Sequence, residues 1–166
     1  VYEGIRVMNS SDIEMVNVQV GLVEGTGISI SQSSAVTVDS GWVADCGKGI
    51  VVSYSSDCTI EELEKLERFE SVGIQLHDSD SCELSYNTIR DGGNGSRGIL
   101  IDEGSNDNAL YMNSVEGTTI GVKLDSTVEN NQLNQNQACN NNQDISDYGT
   151  GNSGLNNNCT LHGGWS

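Results

Sequence analysis

Residues 73–89 read GIQLHDSDSCELSYNTI: one short apolar alternation, GIQL, then a knot of small and acidic residues, then a second alternation, CELSYNTI. Alone, this is a hairpin pattern. As one unit of a repeat it is a coil, and the rest of the chain decides between the two. The unit recurs. A glycine followed by two apolar residues spaced by one stands at Gly4-Ile5-Arg6-Val7, Gly27-Ile28-Ser29-Ile30, Gly49-Ile50-Val51-Val52, Gly73-Ile74-Gln75-Leu76, Gly98-Ile99-Leu100-Ile101 and Gly121-Val122-Lys123-Leu124. The steps between these glycines are 23, 22, 24, 25 and 23 residues, so six copies tile positions 2–143 and Asp144-Ile145 opens a degenerate seventh. A second apolar run follows about nine residues after each glycine, as in Ser34-Ala35-Val36-Thr37-Val38 and Cys82-Glu83-Leu84.

A strand pair plus turns every 22–25 residues is what a parallel β-solenoid needs, because no coil can bury its own apolar face and neighbours must stack at about 4.8 Å. The expected fold is therefore all-β: a single-stranded parallel β-helix of six to seven coils, right-handed, forming one domain over residues 1–166 with its last coil and tail at 144–166. The paired aliphatic residues of each unit, from Ile5/Val7 to Val122/Leu124, should form two inward ladders. Asn87, Asn113 and Asn136 fall 14 or 15 residues after their glycines, where an amide column can hydrogen-bond from coil to coil. Residues 59–69 resist. Ile60, Leu63, Leu66 and Phe69 recur every third position among strong helix formers, which alone reads as a helix, yet the repeat length leaves no room for one. Strand and turn is the expectation there.

Twenty-four acidic residues against seven basic give a net charge of −17, so nucleic acid and anionic membrane surfaces are disfavoured by repulsion. No apolar run approaches 18 residues, so no helix spans a membrane. Disorder would suit the composition, but disordered chains lack a period-2 apolar pattern at fixed spacing. The chain opens at Val1, which fits either a processed N-terminus or an excised segment.

The order Gly-Ile-x-Leu, a Ser/Asp/Asn turn, then a strand closing on Leu-x-x-Asn-x-Ile, as in Gly73 to Ile89, resembles the parallel β-helix repeat superfamily of pectate-lyase-like solenoids. Within it the chain is similar to a surface-layer and periplasmic branch, related to the copper-associated maturation factor of nitrous oxide reductase and abundant in envelope and sheath proteins of methanogenic archaea. The resemblance specifies fold well and function poorly. Its catalytic patterns can be sought one by one. The epimerase-like Asp-Pro-His motif is impossible without proline. The lyase pattern, acidic calcium ligands with a basic residue on one strand face, is not met by any of the seven cations. Asp78, Asp80, Asp102, Glu103 and Asp107 form an acidic edge that reads as a solvated turn before it reads as a calcium site. His77 and His162, with Met8, Met15 and Met112, are scattered without metal-ligand spacing. No catalytic residue, metal site or cofactor is expected, and the chain reads as a non-enzyme.

The cysteines are the sharpest clue. Cys58 and Cys82 each fall nine residues after their glycine and should be vertical neighbours within disulfide range. Cys139 and Cys159 form a second candidate pair. Cys46 finds its nearest match in offset, Cys139, four coils away, and as the odd thiol it suggests an intermolecular bridge. The sequons at Asn9, Asn94 and Asn158 agree with an extracellular location. The first coil starts at Tyr2-Glu3-Gly4-Ile5 with no preceding polar cap, which reads as an open end. These features lead to a secreted structural protein that self-assembles into a cell-envelope layer, sheath or fibre, with itself as partner. A carbohydrate-binding or polysaccharide-modifying module using the acidic edge, calcium and Trp42, Tyr54, Tyr86 or Tyr111 is the alternative.

Overall fold

Gly-Ile-x-Ile segments line up coil on coil because each shields its neighbours' aliphatic side chains while extended backbones bond above and below. The computed structural model describes residues 1–159 and the strand Leu161–His162, and among these residues every regular element is a β-strand. Ile5 pairs with Ile28, Ile28 with Ile50, Ile50 with Ile74, Ile74 with Ile99, Ile99 with Val122 and Val122 with Ile145, all parallel. The result is a β-solenoid of about seven coils. The seventh is in register on two sides, Gln143–Asp147 on Ile120–Leu124 and Ser153–Leu155 on Gln132–Asn134.

Three further inward columns close the core: Val7-Ile30-Val52-Leu76-Ile101-Leu124, Val38-Ile60-Leu84-Leu110-Leu133 and Val43-Leu66-Ile89-Val115-Ala138. From the second coil onward these side chains are almost wholly buried. Each contributes about 1.5–3 kcal/mol of burial, an upper figure because the unfolded chain already hides part of this surface. In the first coil Ile5, Val7, Ile13, Met15 and Val18 are only partly buried.

The early coils are continuous strands that turn corners: β1 (Glu3–Met8), β2 (Ser11–Ser31), β3 (Ser34–Ser53) and β4 (Thr59–His77). Later coils break into strands of two to six residues. Corners are single residues with positive φ, stacked in columns: Asn17, Ser40, Glu62, Tyr86, Met112, Gln135 and Asn156 in one, Leu22, Asp45, Arg68, Asp91 and Asn140 in another. Asn and Asp tolerate this left-handed conformation, whereas Leu22, Arg68 and Met112 adopt it at a cost. Residues 59–69 lie inside β4 with Ile60, Leu63, Leu66 and Phe69 all buried, so the helix-like spacing is strand with corners.

Candidate functional site

The residue immediately after a corner turns inward, where its side chain can reach the backbone of the neighbouring coil. Behind the Asp57/Ser81/Asp107/Asn130 corner this position holds Val36, Cys58, Cys82, Asn108, Asn131 and Asn152 in turn. Behind the Glu62/Tyr86/Met112/Gln135 corner it holds Leu63, Asn87, Asn113, Asn136 and Asn157. Asn87 and Asn108, first in their columns, accept the backbone N–H of Leu63 and Cys82; from the next coil on, each asparagine Oδ1 accepts both the backbone N–H and the side-chain Nδ2–H of the asparagine one coil earlier, and for Asn113 the distances are 3.2 and 3.0 Å. Nδ2 also donates to a carbonyl of the preceding coil, as Asn113 does to Leu84 at 2.7 Å. A hydroxyl ladder runs beside them: the N–H groups of Ser10, Ser33, Ser55 and Ser79 donate to the Oγ of Ser33, Ser55, Ser79 and Ser105. The column of Asn87, Asn113 and Asn136 was visible in the sequence; the Asn108 column and the serine ladder were not.

Toward the N-terminal end sulfur replaces the amide. Cys58 and Cys82 occupy the same column as Asn108, and the N–H of Cys82 donates to Asn108 Oδ1 at 2.8 Å. Their thiols donate to the carbonyls of Ser56 and Asp80, two residues back, each at 3.4 Å. Both are buried free thiols in contact with each other, and the disulfide expected between them is not formed here. Hydrogen bonding to Cys82 draws the Cys58 thiol down to about 7, while the same contact and burial push Cys82 up. Cys139 and Cys159 are joined by a disulfide, with Cα atoms 5.3 Å apart. Cys46 stands in a column between Val23 and Phe69, not in that of Cys139. It is a buried free thiol pushed up to about 11 by desolvation and by Asp45, and the structure does not present it at the surface for an intermolecular bridge.

Two polar networks sit on the outside. Glu67, 6 % exposed, holds Arg68 and Arg90, and Arg68 also donates to Asp45 at 2.7 Å. Arg90 first, and then Arg68, keep the Glu67 carboxyl below its usual range. Glu67 and Arg68 line a shallow hollow with Trp42, Ala44, Glu64 and Lys65. On another side, Lys48 donates to Gln75, Gln75 donates to Asp102 at 2.9 Å, His77 Nδ1 lies 2.9 Å from Asp102, and the Tyr54 ring meets His77 edge-on. Sequence spacing placed none of these partners together.

Of the acidic edge, Asp102 is engaged by His77 and Gln75, and Asp80 accepts the N–H of Asn106. Asp78, Glu103 and Asp107 are exposed. Among the described residues no three His, Cys, Asp or Glu side chains are grouped to hold a metal ion. Tyr86 and Tyr111 pack edge to face at one corner, apart from Tyr54 and from Trp42, so the four aromatics do not line one groove. Asn9, Asn94 and Asn158 are all exposed. The side chain of His162 lies outside the described residues.

The sequence profile of the family described as "Periplasmic copper-binding protein (NosD)" matches residues 1–162. That description speaks of copper binding in the periplasm and not of assembly. No curated protein matches the chain.

Proposed function

The chain belongs to the periplasmic copper-binding protein (NosD) family, and from that premise we propose that it is a rigid, non-catalytic β-solenoid of the cell envelope whose coils stack with those of further copies into a layer, sheath or fibre. The observation that carries this reading is the sameness of every coil-to-coil surface. Aliphatic columns and polar ladders repeat from rung to rung, so any in-register coil can extend the stack. Ile5, Val7, Ile13, Met15 and Val18 carry the aliphatic columns into the first coil, where they are only partly buried. A charge of −17 per copy makes association salt-dependent, because outward carboxylates repel until screened. Exposed sequons and a disulfide suit an oxidising compartment outside the cytoplasm.

Electron microscopy of the protein isolated from its source without reductant tests this reading. Ordered tubes, sheets or fibres support it, and discrete short rods at every salt concentration reject it.

Two observations favour copper handling as a second reading: the family description and a pair of free thiols brought into contact, Cys58 and Cys82. The donor chemistry fits Cu(I), which thiolates select. His77 is committed to Asp102 at Nδ1; Met8 and Met15 sit on two different strands of the first coil, and Met112 lies several coils away. A polysaccharide-acting role, in contrast, would need the aromatics on one groove.

A further inference from the structure

We infer that Cys58 and Cys82 form a two-coordinate site for a soft monovalent cation, Cu(I), bridging two adjacent coils. The inference rests on the copper reading above and assigns it to residues. Thr59 pairs with Glu83 and Ile60 with Leu84, so the cysteines immediately before them are rung neighbours with both side chains turned inward. Parallel in-register side chains keep a separation near the rung spacing of about 4.8 Å. Two thiolate–metal bonds of about 2.3 Å placed end to end span about 4.6 Å. A metal between the sulfurs therefore leaves the ladder in place, whereas a disulfide at about 2.05 Å has to draw the rungs' Cβ atoms together.

The surroundings fit the same ligand. The column changes from amide to sulfur at this point, so no Asn oxygen competes for the cation: Asn108 Oδ1 is already taken by the N–H of Cys82. The backbone N–H groups of Val36 and Cys58 serve the sulfurs of Cys58 and Cys82 and offset the negative charge of a dithiolate. Asp57 stands at the corner directly before Cys58, where its field draws a cation inward. Binding breaks two S–H bonds, forms two S–Cu bonds and releases two protons to water. Copper stays Cu(I), and no electron moves.

The test is an anaerobic Cu(I) titration of the reduced protein against a competing Cu(I) chelator, with proton release recorded. One equivalent bound, two protons released and X-ray absorption showing two sulfur neighbours are expected. Cys58→Ser and Cys82→Ser should each weaken binding by more than the roughly 10–100-fold cost of losing an outer-shell partner, and Cys46→Ser should leave it unchanged. Serine already occupies ladder positions in this fold, and circular dichroism checks that each variant keeps its strands. Tight Cu(I) binding that survives both substitutions overturns this assignment while leaving the copper reading standing. Failure of the native protein to take up Cu(I) overturns both. If a variant does not fold, a native copper centre with three or more ligands, or with nitrogen or oxygen neighbours, overturns the site.

Discussion

Replacing Asn113 by alanine tests the amide ladder at its centre. The side chain is 1 % exposed and makes bonds in both directions. Its Oδ1 accepts Asn87 N–H and Nδ2–H, and its Nδ2 donates to Leu84 O and Asn136 Oδ1. In the variant Asn87 N–H is left buried without its acceptor, which costs about 1–3 kcal/mol. The three remaining bonds are worth about 0.5–1.5 kcal/mol each, partly recovered because Asn87 Nδ2 still reaches Ile60 O and Asn136 Oδ1 still accepts Asn113 N–H. The net loss is about 3–5 kcal/mol, a large part of the roughly 5–15 kcal/mol that a domain possesses. Urea denaturation followed by far-ultraviolet circular dichroism measures it, with Asn142→Ala, an exposed asparagine, as the control expected within about 0.5 kcal/mol. Asn113→Asp sharpens the test. It keeps the acceptor oxygen but puts a second oxygen in place of the Nδ2 that donates to Leu84 O and Asn136 Oδ1, so the folded state prefers the protonated acid. Its folded pKa is then raised above the ordinary value of about 3.9. The variant should be most stable below that pH and lose stability as pH rises through the folded pKa. A midpoint for Asn113→Ala equal to that of the control, or a flat pH profile for Asn113→Asp, would refute the ladder as a source of stability.

Much of the fold was legible because the Gly-x-aliphatic signal recurs at nearly constant spacing and each inward residue buries against its own copies. The helix-like run of Ile60, Leu63, Leu66 and Phe69 shows where alternation misleads. Corners at Glu62 and Arg68, and a bulge that skips Glu64, each add one residue to a period of two and stretch it to three. Cys46 was misaligned because near-equal offsets from the glycines fall at different places in the coil: Val43 and Ala138 share a column, and Cys46 stands three residues past the first while Cys139 directly follows the second. The serine ladder stayed hidden because serine is common in the turns throughout the chain, so the constant offset of six residues from Gly4, Gly27, Gly49 and Gly73 to Ser10, Ser33, Ser55 and Ser79 does not stand out. The Glu67–Arg90 and Lys48–Gln75–Asp102–His77 contacts join residues 23 to 27 positions apart through polar side chains, which no apolar pattern marks.

Three more outcomes are expected. A Cβ at Gly73 would stand 2.5 Å from Gly98 O and 2.8 Å from Ile89 Cγ2, so Gly73→Ala should lower the thermal midpoint by forcing two coils apart, at a cost of about 1–3 kcal/mol. Reducing the Cys139–Cys159 disulfide, which spans 20 residues, should remove about 3 kcal/mol and loosen the last coils first, as read by hydrogen exchange. Glu67 is held ionised by Arg90 and Arg68, so its contribution is present above the unfolded-state value of about 4.3 and is lost as pH falls through its lowered folded value; Glu67→Gln should flatten the acid limb of the stability profile.

Sedimentation velocity of the native protein beside an Ile5→Lys variant, across protein and salt concentrations, tests the structural reading most directly. Ile5 heads the aliphatic column above Ile28 and is only partly buried, so a lysine there sets a charge on the stacking face while its long stem lies along the column. Salt-promoted higher species in the native protein that vanish in Ile5→Lys are the predicted result. A single small species for both proteins under all conditions would contradict it.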